Sequence, residues 1–257
     1  ERESARLINR ALGGLYPPGS TFKVATTAAA LDTKPDLLNL LVPCNQVDER
    51  IEWRERGKRY VRRNTHDDKG DPSFGMIPLP TAFRVSSNIY FANLATKVGT
   101  EAFRNTLKDK MHFRSVPDTN AFDSDLPDIG YGQGRMQVTP TEMARLTGAV
   151  ANHGQMMEAR TLLRIVDPAL EPSNAQEPTL PLGSAMSAET SEKLQDMMHD
   201  VTLNGTARGV FAGLPYAVAG KTGTAQNRRA DGEPHSWFIG FAPYAENHAL
   251  PARYAFA

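Results

Sequence analysis

Tyr216-Ala217-Val218-Ala219-Gly220-Lys221-Thr222-Gly223-Thr224-Ala225-Gln226 reads as a strand, and Ser236-Trp237-Phe238-Ile239-Gly240-Phe241-Ala242 reads as a second one. Valine, threonine and aromatic residues suit a pleated, half-buried surface, and the polar run Asn227 to Pro234 between the two segments supplies a turn. A third strand is expected from Arg253 onward. Ahead of this terminal antiparallel meander the pattern is helical. The combination predicts an α+β fold, an antiparallel sheet flanked by helices.

Working outward, Ser187 caps a helix whose Leu194, Met197, Met198 and Val201 recur at i, i+3, i+4 and i+7, and Asn204-Gly205 stops it. Thr139 as N-cap and Pro140 in the first turn open another helix, running to about Asn152, and His153-Gly154 ends it. Leu79 to Val85 and Asn88 to Val98 read as short helices meeting at Ser86-Ser87, and Glu101 to Lys110 as a further helix. Asn120 to Gly134 reads as turn-rich. Ser20 to Leu31 is an Ala- and Thr-rich helix entered abruptly through Tyr16-Pro17-Pro18-Gly19, with Val24, Ala28 and Leu31 as its buried stripe. Charges crowd Glu49 to Arg63 around Arg56-Gly57-Lys58, which predicts an exposed hairpin arm. Cys44 is expected in a loop.

The chain has 257 residues, and 29 Lys+Arg balance 29 Asp+Glu. A neutral chain lacks the basic excess of a bulk nucleic-acid binder or a membrane-surface module. No run of about 18 apolar residues predicts a membrane span. One cysteine forms no internal disulfide, and no His/Cys spacing suggests a metal site. Both ends look cut: the first residue is Glu1, and the last strand stops at Ala257.

Three short patterns carry chemistry. Ser20 and Lys23 stand three apart at a helix start, so their side chains share a face. A serine hydroxyl needs a base to become a nucleophile, and a lysine amine serves if burial lowers its pKa. Ser86-Ser87-Asn88 occupies a helix junction. Lys221-Thr222-Gly223-Thr224 puts a cation and two hydroxyls on a strand whose glycines permit close approach, a strip suited to a carboxylate and to an added peptide strand. Each pattern alone is ordinary, but Ser-x-x-Lys, Ser-x-Asn and Lys-Thr-Gly in this order are hard to reach by chance.

With YPPGSTFK at 16–23, SSN at 86–88, YGQG at 131–134, AGKTGTAQ at 219–226 and HSWFIGFAP at 235–243, the chain resembles the transpeptidase domain of class B penicillin-binding proteins over nearly its whole length. The resemblance implies a penicillin-binding protein/serine β-lactamase-like fold and a single domain over 1–257, truncated at both ends. An all-helical subregion over about 32–150 would be inserted between the nucleophile helix and the C-terminal strands. It implies Ser20 as acylated nucleophile and Lys23, held neutral, as general base. Ser86 would relay the proton to the departing D-Ala amine, Asn88 would bond the substrate amide and fix Lys23, and Lys221 would keep the potential positive and bond Ser86. Thr222, Gly223 and Thr224 would line the carboxylate site, and the backbone N–H groups of Ser20 and Thr224 would form the oxyanion hole, each such donor contributing about 3–4 kcal/mol. No metal or cofactor enters.

The implied reaction is D,D-transpeptidation of stem peptides ending in D-Ala-D-Ala, with acylation by β-lactams. Implied partners are peptidoglycan stem peptides and cell-wall synthesis proteins such as a glycosyltransferase. The implied place is the periplasmic or extracytoplasmic face of the inner membrane, through an N-terminal anchor not in this chain. Ser87 in the middle of the second motif, where class A β-lactamases carry Asp, counts against that class, as does the lack of a Glu-x-x-Asn loop in good context before Lys221. A D,D-carboxypeptidase, a β-lactamase, or a β-lactam-sensing or non-catalytic scaffold domain stay as alternatives.

Overall fold

The computed structural model describes residues 9–45, 49–55, 57–65, 74–160, 180–225, 233–246 and 251–257. A short α1 (Arg10–Gly13) precedes a 3-10 turn, Gly19–Phe22, that runs directly into α2 (Lys23–Thr33). Four strands follow: β1 (Val42–Cys44), β2 (Glu49–Glu55), β3 (Lys58–Thr65) and β4 (Gly75–Ile77). Then come α3 (Leu79–Val85), α4 (Asn88–Val98), α5 (Thr100–Asn105) with a π-turn over Thr106–Lys110, α6 (Thr119–Gly130) and α7 (Pro140–Ala151). The chain continues through β5 (Gln155–Met157), β6 (Pro181–Ser184), α8 (Ala188–Asn204), β7 (Ala217–Ala225), β8 (His235–Tyr244) and β9 (Tyr254–Phe256).

The meander read from the sequence is present as the three-stranded antiparallel sheet β7-β8-β9, with Lys221 opposite Ile239 and Gly223 opposite Trp237. Within this sheet β7 lies at one edge and β9 at the other. The turn expected at Asn227 to Pro234 lies largely outside the described residues. Among those residues no helix is long and apolar enough to cross a membrane.

Sequence patterns explain most of the helices. Ser187 accepts a hydrogen bond from the Thr190 N–H as the N-cap of α8. Thr139 caps α7 and shares a capping box with Glu142, whose carboxylate accepts from the Thr139 N–H at 2.7 Å.

Four expectations need correction. First, α2 carries no stripe: every residue from Lys23 to Leu31 is buried, because α4, α5 and α8 surround it. Alanine suits that position, since a helix packed on all sides must let its neighbours come close. Second, Asn120 to Gly134 is mostly helix. Asp118 caps α6 through the Ala121 N–H, and Phe122, Leu126 and Ile129 bury at i, i+4 and i+7, a pattern hidden by Asp, Ser and Pro127. Third, the hairpin arm is real but only half exposed. Ile51 and Trp53 are buried against α4, and Trp53 stacks on Tyr60 at 5.0 Å. Fourth, Cys44 is buried in β1, not in a loop. The subregion at 32–150 is therefore not all-helical, since it also holds the β1-β4 and β2-β3 sheets.

Candidate active site

The segment leading into α2 is fixed before it reaches Ser20. Tyr16 and Val138 exchange two backbone hydrogen bonds of 2.9 Å, the Trp237 indole donates to the Pro17 carbonyl at 3.1 Å, and Tyr16 meets His235 edge to face. Gly19 then turns at φ 55°, and its N–H donates to the Gly132 carbonyl at 2.9 Å. Ser20 consequently sits in a 3-10 turn and Lys23 is the first residue of α2, so Ser20 lies just ahead of the helix rather than acting as its cap.

Glycines let three chain segments interlock here. A Cβ on Gly132, at φ 82°, would fall 1.9 Å from the Gly19 carbonyl oxygen, and one on Gly223 would fall 2.9 Å from the Thr21 nitrogen. A Cβ on Gly19 would fall 2.6 Å from the Thr224 carbonyl oxygen. The YGQG run thus holds the serine turn from below, and β7 presses against it from the side. Gly132→Ala meets both a left-handed backbone, costing about 1–3 kcal/mol, and a backbone clash that no side-chain rotation relieves. We expect its melting temperature, followed by circular dichroism, to fall by roughly 5 °C or more.

The side chains then converge. Lys23 is fully buried, and its Nζ lies 3.0 Å from Ser20 Oγ, 2.8 Å from Asn88 Oδ1 and 3.1 Å from Ser86 Oγ, and also meets the Ser86 carbonyl. Lys221, also fully buried, reaches the same Ser86 Oγ at 2.8 Å and the Thr222 carbonyl at 3.1 Å. Two phenyl rings complete the amine pocket, Phe91 at 5.4 Å from Lys23 Nζ and Phe83 at 5.8 Å from Lys221 Nζ.

Ser86 ends α3 in the left-handed region, at φ 63°, an unfavourable conformation for serine. There its hydroxyl contacts both amines and its carbonyl meets one of them. Ser87 plays a different part, since it is buried and caps α4 by accepting from the Tyr90 N–H at 3.2 Å. Asn88, the first residue of α4, is thereby held toward Lys23.

Burial, and after it the charge of Lys23, push the Lys221 ammonium well below the ordinary lysine value. Both effects oppose a doubly protonated pair, so the two amines titrate as a coupled pair. A Ser86 hydroxyl bridging one charged and one neutral amine accepts from the first and donates to the second, which makes it a route for a proton.

On β7, Gly223 is buried, Thr222 is half-buried and Thr224 is exposed. Thr222 Oγ1 lies 2.5 Å from Thr206 Oγ1 in the loop after α8. The structure thus brings Ser20, Lys23, Ser86, Asn88 and Lys221 into one bonded cluster, with Thr222 and Thr224 on the adjoining strand. Sequence reasoning missed Thr206, because Asn204-Gly205 registered only as a helix stop, and it missed Phe83 and Phe91 as the apolar wall of the amine pocket.

A family model described as the penicillin binding protein transpeptidase domain matches residues 1–252. The chain belongs to this family. Among relatives of this transpeptidase domain, peptidoglycan D,D-transpeptidase PbpA of Mycolicibacterium smegmatis is 28% identical over 255 residues, covering 92% of this chain and 49% of the relative. Peptidoglycan D,D-transpeptidase MrdA of Haemophilus influenzae is 26% identical, covering 93% of this chain and 41% of the relative. The chain spans about half or less of the length of these curated relatives. Both agree with the class B resemblance. Among solved structures, the D,D-transpeptidase domain of a peptidoglycan glycosyltransferase from Eggerthella lenta superposes with TM-score 0.74 at 27% identity, covering 95% of this chain and 63% of that one. The imipenem acyl-enzyme complex of penicillin-binding protein A from M. tuberculosis gives TM-score 0.77 at 25% identity, covering 99% and 57%.

Proposed function

We propose that the chain is a peptidoglycan D,D-transpeptidase domain that works through a Ser20 acyl-enzyme and is inhibited by β-lactams. The observation that carries this reading is the unbroken bonded path from Ser20 Oγ through Lys23 Nζ and Ser86 Oγ to Lys221 Nζ. Ser20 Oγ attacks the carbonyl carbon of the penultimate D-Ala while its proton passes to the neutral Lys23 amine. The carbonyl oxygen takes the negative charge and faces the backbone N–H groups of Ser20 and Thr224, and Thr222 and Thr224 hold the terminal carboxylate. The C–N bond then breaks. Lys23 returns its proton through Ser86 to the leaving D-Ala nitrogen, and an acyl ester remains on Ser20. An acceptor amine attacks that ester, forms the cross-link and gives the Ser20 oxygen back its proton.

A β-lactam enters the same path, but its leaving nitrogen stays tethered after ring opening and occupies the place of the acceptor. In this reading the domain works on stem peptides at the extracytoplasmic face of the membrane, anchored and accompanied by other cell-wall synthesis proteins such as a glycosyltransferase.

A hydrolase on the same scaffold differs by one requirement, a base that activates water on the acyl ester. Glu171-Pro172-Ser173-Asn174 precedes Lys221 in sequence but lies outside the described residues. Deacylation therefore decides between the two readings. Incubation with benzylpenicillin is expected to give one covalent adduct by intact mass that persists for many minutes after excess ligand is removed. Rapid return of unmodified protein would establish a β-lactamase instead.

A further inference from the structure

The loop after α8 joins the two walls of the site. A Cβ on Gly205 would fall 2.7 Å from the Arg84 carbonyl oxygen, so this loop packs against the end of α3 two residues before Ser86. An Arg84–Asp200 ion pair at 3.4 Å ties α3 to α8 beside it. The loop backbone is itself fixed, since the N–H groups of Gly205 and Ala207 both donate to the Val201 carbonyl at 3.1 Å and Ala207 is buried. Between these two anchored residues, Thr206 is exposed and meets β7 through a 2.5 Å contact with Thr222, at the short limit for two hydroxyls.

A hydroxyl carries one proton and two lone pairs. If Thr222 is to donate to a ligand carboxylate, its oxygen must take its other hydrogen bond from elsewhere, and Thr206 is placed to supply it. Both residues are β-branched and stiff at χ1, so their oxygens stay in contact while the protons rotate, and a carboxylate that accepts from Thr222 leaves Thr206 as the donor between them. We propose that Thr206 is a positioning residue that orients the Thr222 hydroxyl toward the ligand carboxylate, and so sets the preference of the site for ligands with a free C-terminal carboxylate. This rests on the reading of Thr222 as a carboxylate contact given above. Removing the Thr206 hydroxyl lets the Thr222 proton turn away from the ligand, and only ligands that bear the anion register the loss.

The test compares acylation by benzylpenicillin and by its carboxyl methyl ester, with rates followed by intact mass for the wild type, Thr206→Val, Thr206→Ser and Thr206→Val in a Thr222→Val background. Thr206→Val keeps the side-chain shape and should slow acylation by the acid about five- to ten-fold, the net worth of one hydrogen bond between neutral groups. The ester rate should stay unchanged. Thr206→Ser should restore the acid rate to within about two-fold, and Thr206→Val should have no further effect once Thr222 has lost its hydroxyl. An equal fall for acid and ester would show that Thr206 only shapes the loop and would overturn the proposal. An unchanged acid rate would overturn it too. A wild-type chain that neither ligand acylates would instead overturn the Ser20 reading on which the proposal stands.

Discussion

Ser20→Ala leaves no penicilloyl adduct at any incubation time and keeps its fold. The nucleophilic oxygen is gone, and no second hydroxyl takes its place: Ser86 Oγ is engaged by both amines, and Ser87 is a buried cap for α4. The cost to stability is small because Ser20 is only half-buried and Lys23 keeps Ser86 and Asn88 as partners. A change within about 1 kcal/mol is expected from denaturant unfolding. Labelling that survives in a folded Ser20→Ala chain would remove Ser20 from its proposed role.

The second large effect is at Lys23. Lys23→Met fills the buried volume with an apolar chain and removes the base, so acylation should slow by about 10²–10⁴-fold in stopped-flow or mass measurements. The substitution also strips a donor from Ser20 Oγ, Ser86 Oγ and Asn88 Oδ1, so some stability is lost as well.

The wild-type pH profile carries a related signature. Lys221 is pushed down by burial first and by Lys23 second. Acylation should therefore be supported at neutral pH and should fall only on acidification to values well below the ordinary lysine pKa, where the pair takes up its second proton. Stability moves the same way. The folded-state pKa lies below the unfolded one, so the unfolded chain binds more protons between them; the contribution is complete above the unfolded value and is lost as pH falls through the folded one. An acid limb near the ordinary lysine value would contradict the depressed Lys221. In Lys23→Met one of the two depressing influences on Lys221 is absent, and its titration should move upward.

How much of this was legible in the sequence depended on the range of the interaction. Caps and breakers act within a few residues, and Thr139, Ser187, His153-Gly154 and Asn204-Gly205 marked their helix ends at the observed positions. The strands of the meander were visible because Lys221 to Ala225 and Ser236 to Ala242 carry their own β pattern. The α6 helix was missed because its polar residues, which the surrounding fold buries as Asp123 and Asp128, look like turn formers in isolation. The all-round burial of α2 depends on which helices surround it, and no local pattern encodes that. The site behaves likewise. Motif order brought Ser20, Lys23, Ser86 and Lys221 to attention, whereas the role of Gly132 under Gly19, the left-handed backbone of Ser86 and the contact of Thr206 with Thr222 arise only when distant segments meet.

In the proposed mechanism these segments meet to activate one particular oxygen. Peptide mapping by tandem mass spectrometry after brief exposure to benzylpenicillin reads that oxygen out directly. The added mass is expected on Ser20 alone, in the peptide carrying Tyr16 to Lys23. Modification of Ser86, of any other residue, or of none would contradict it.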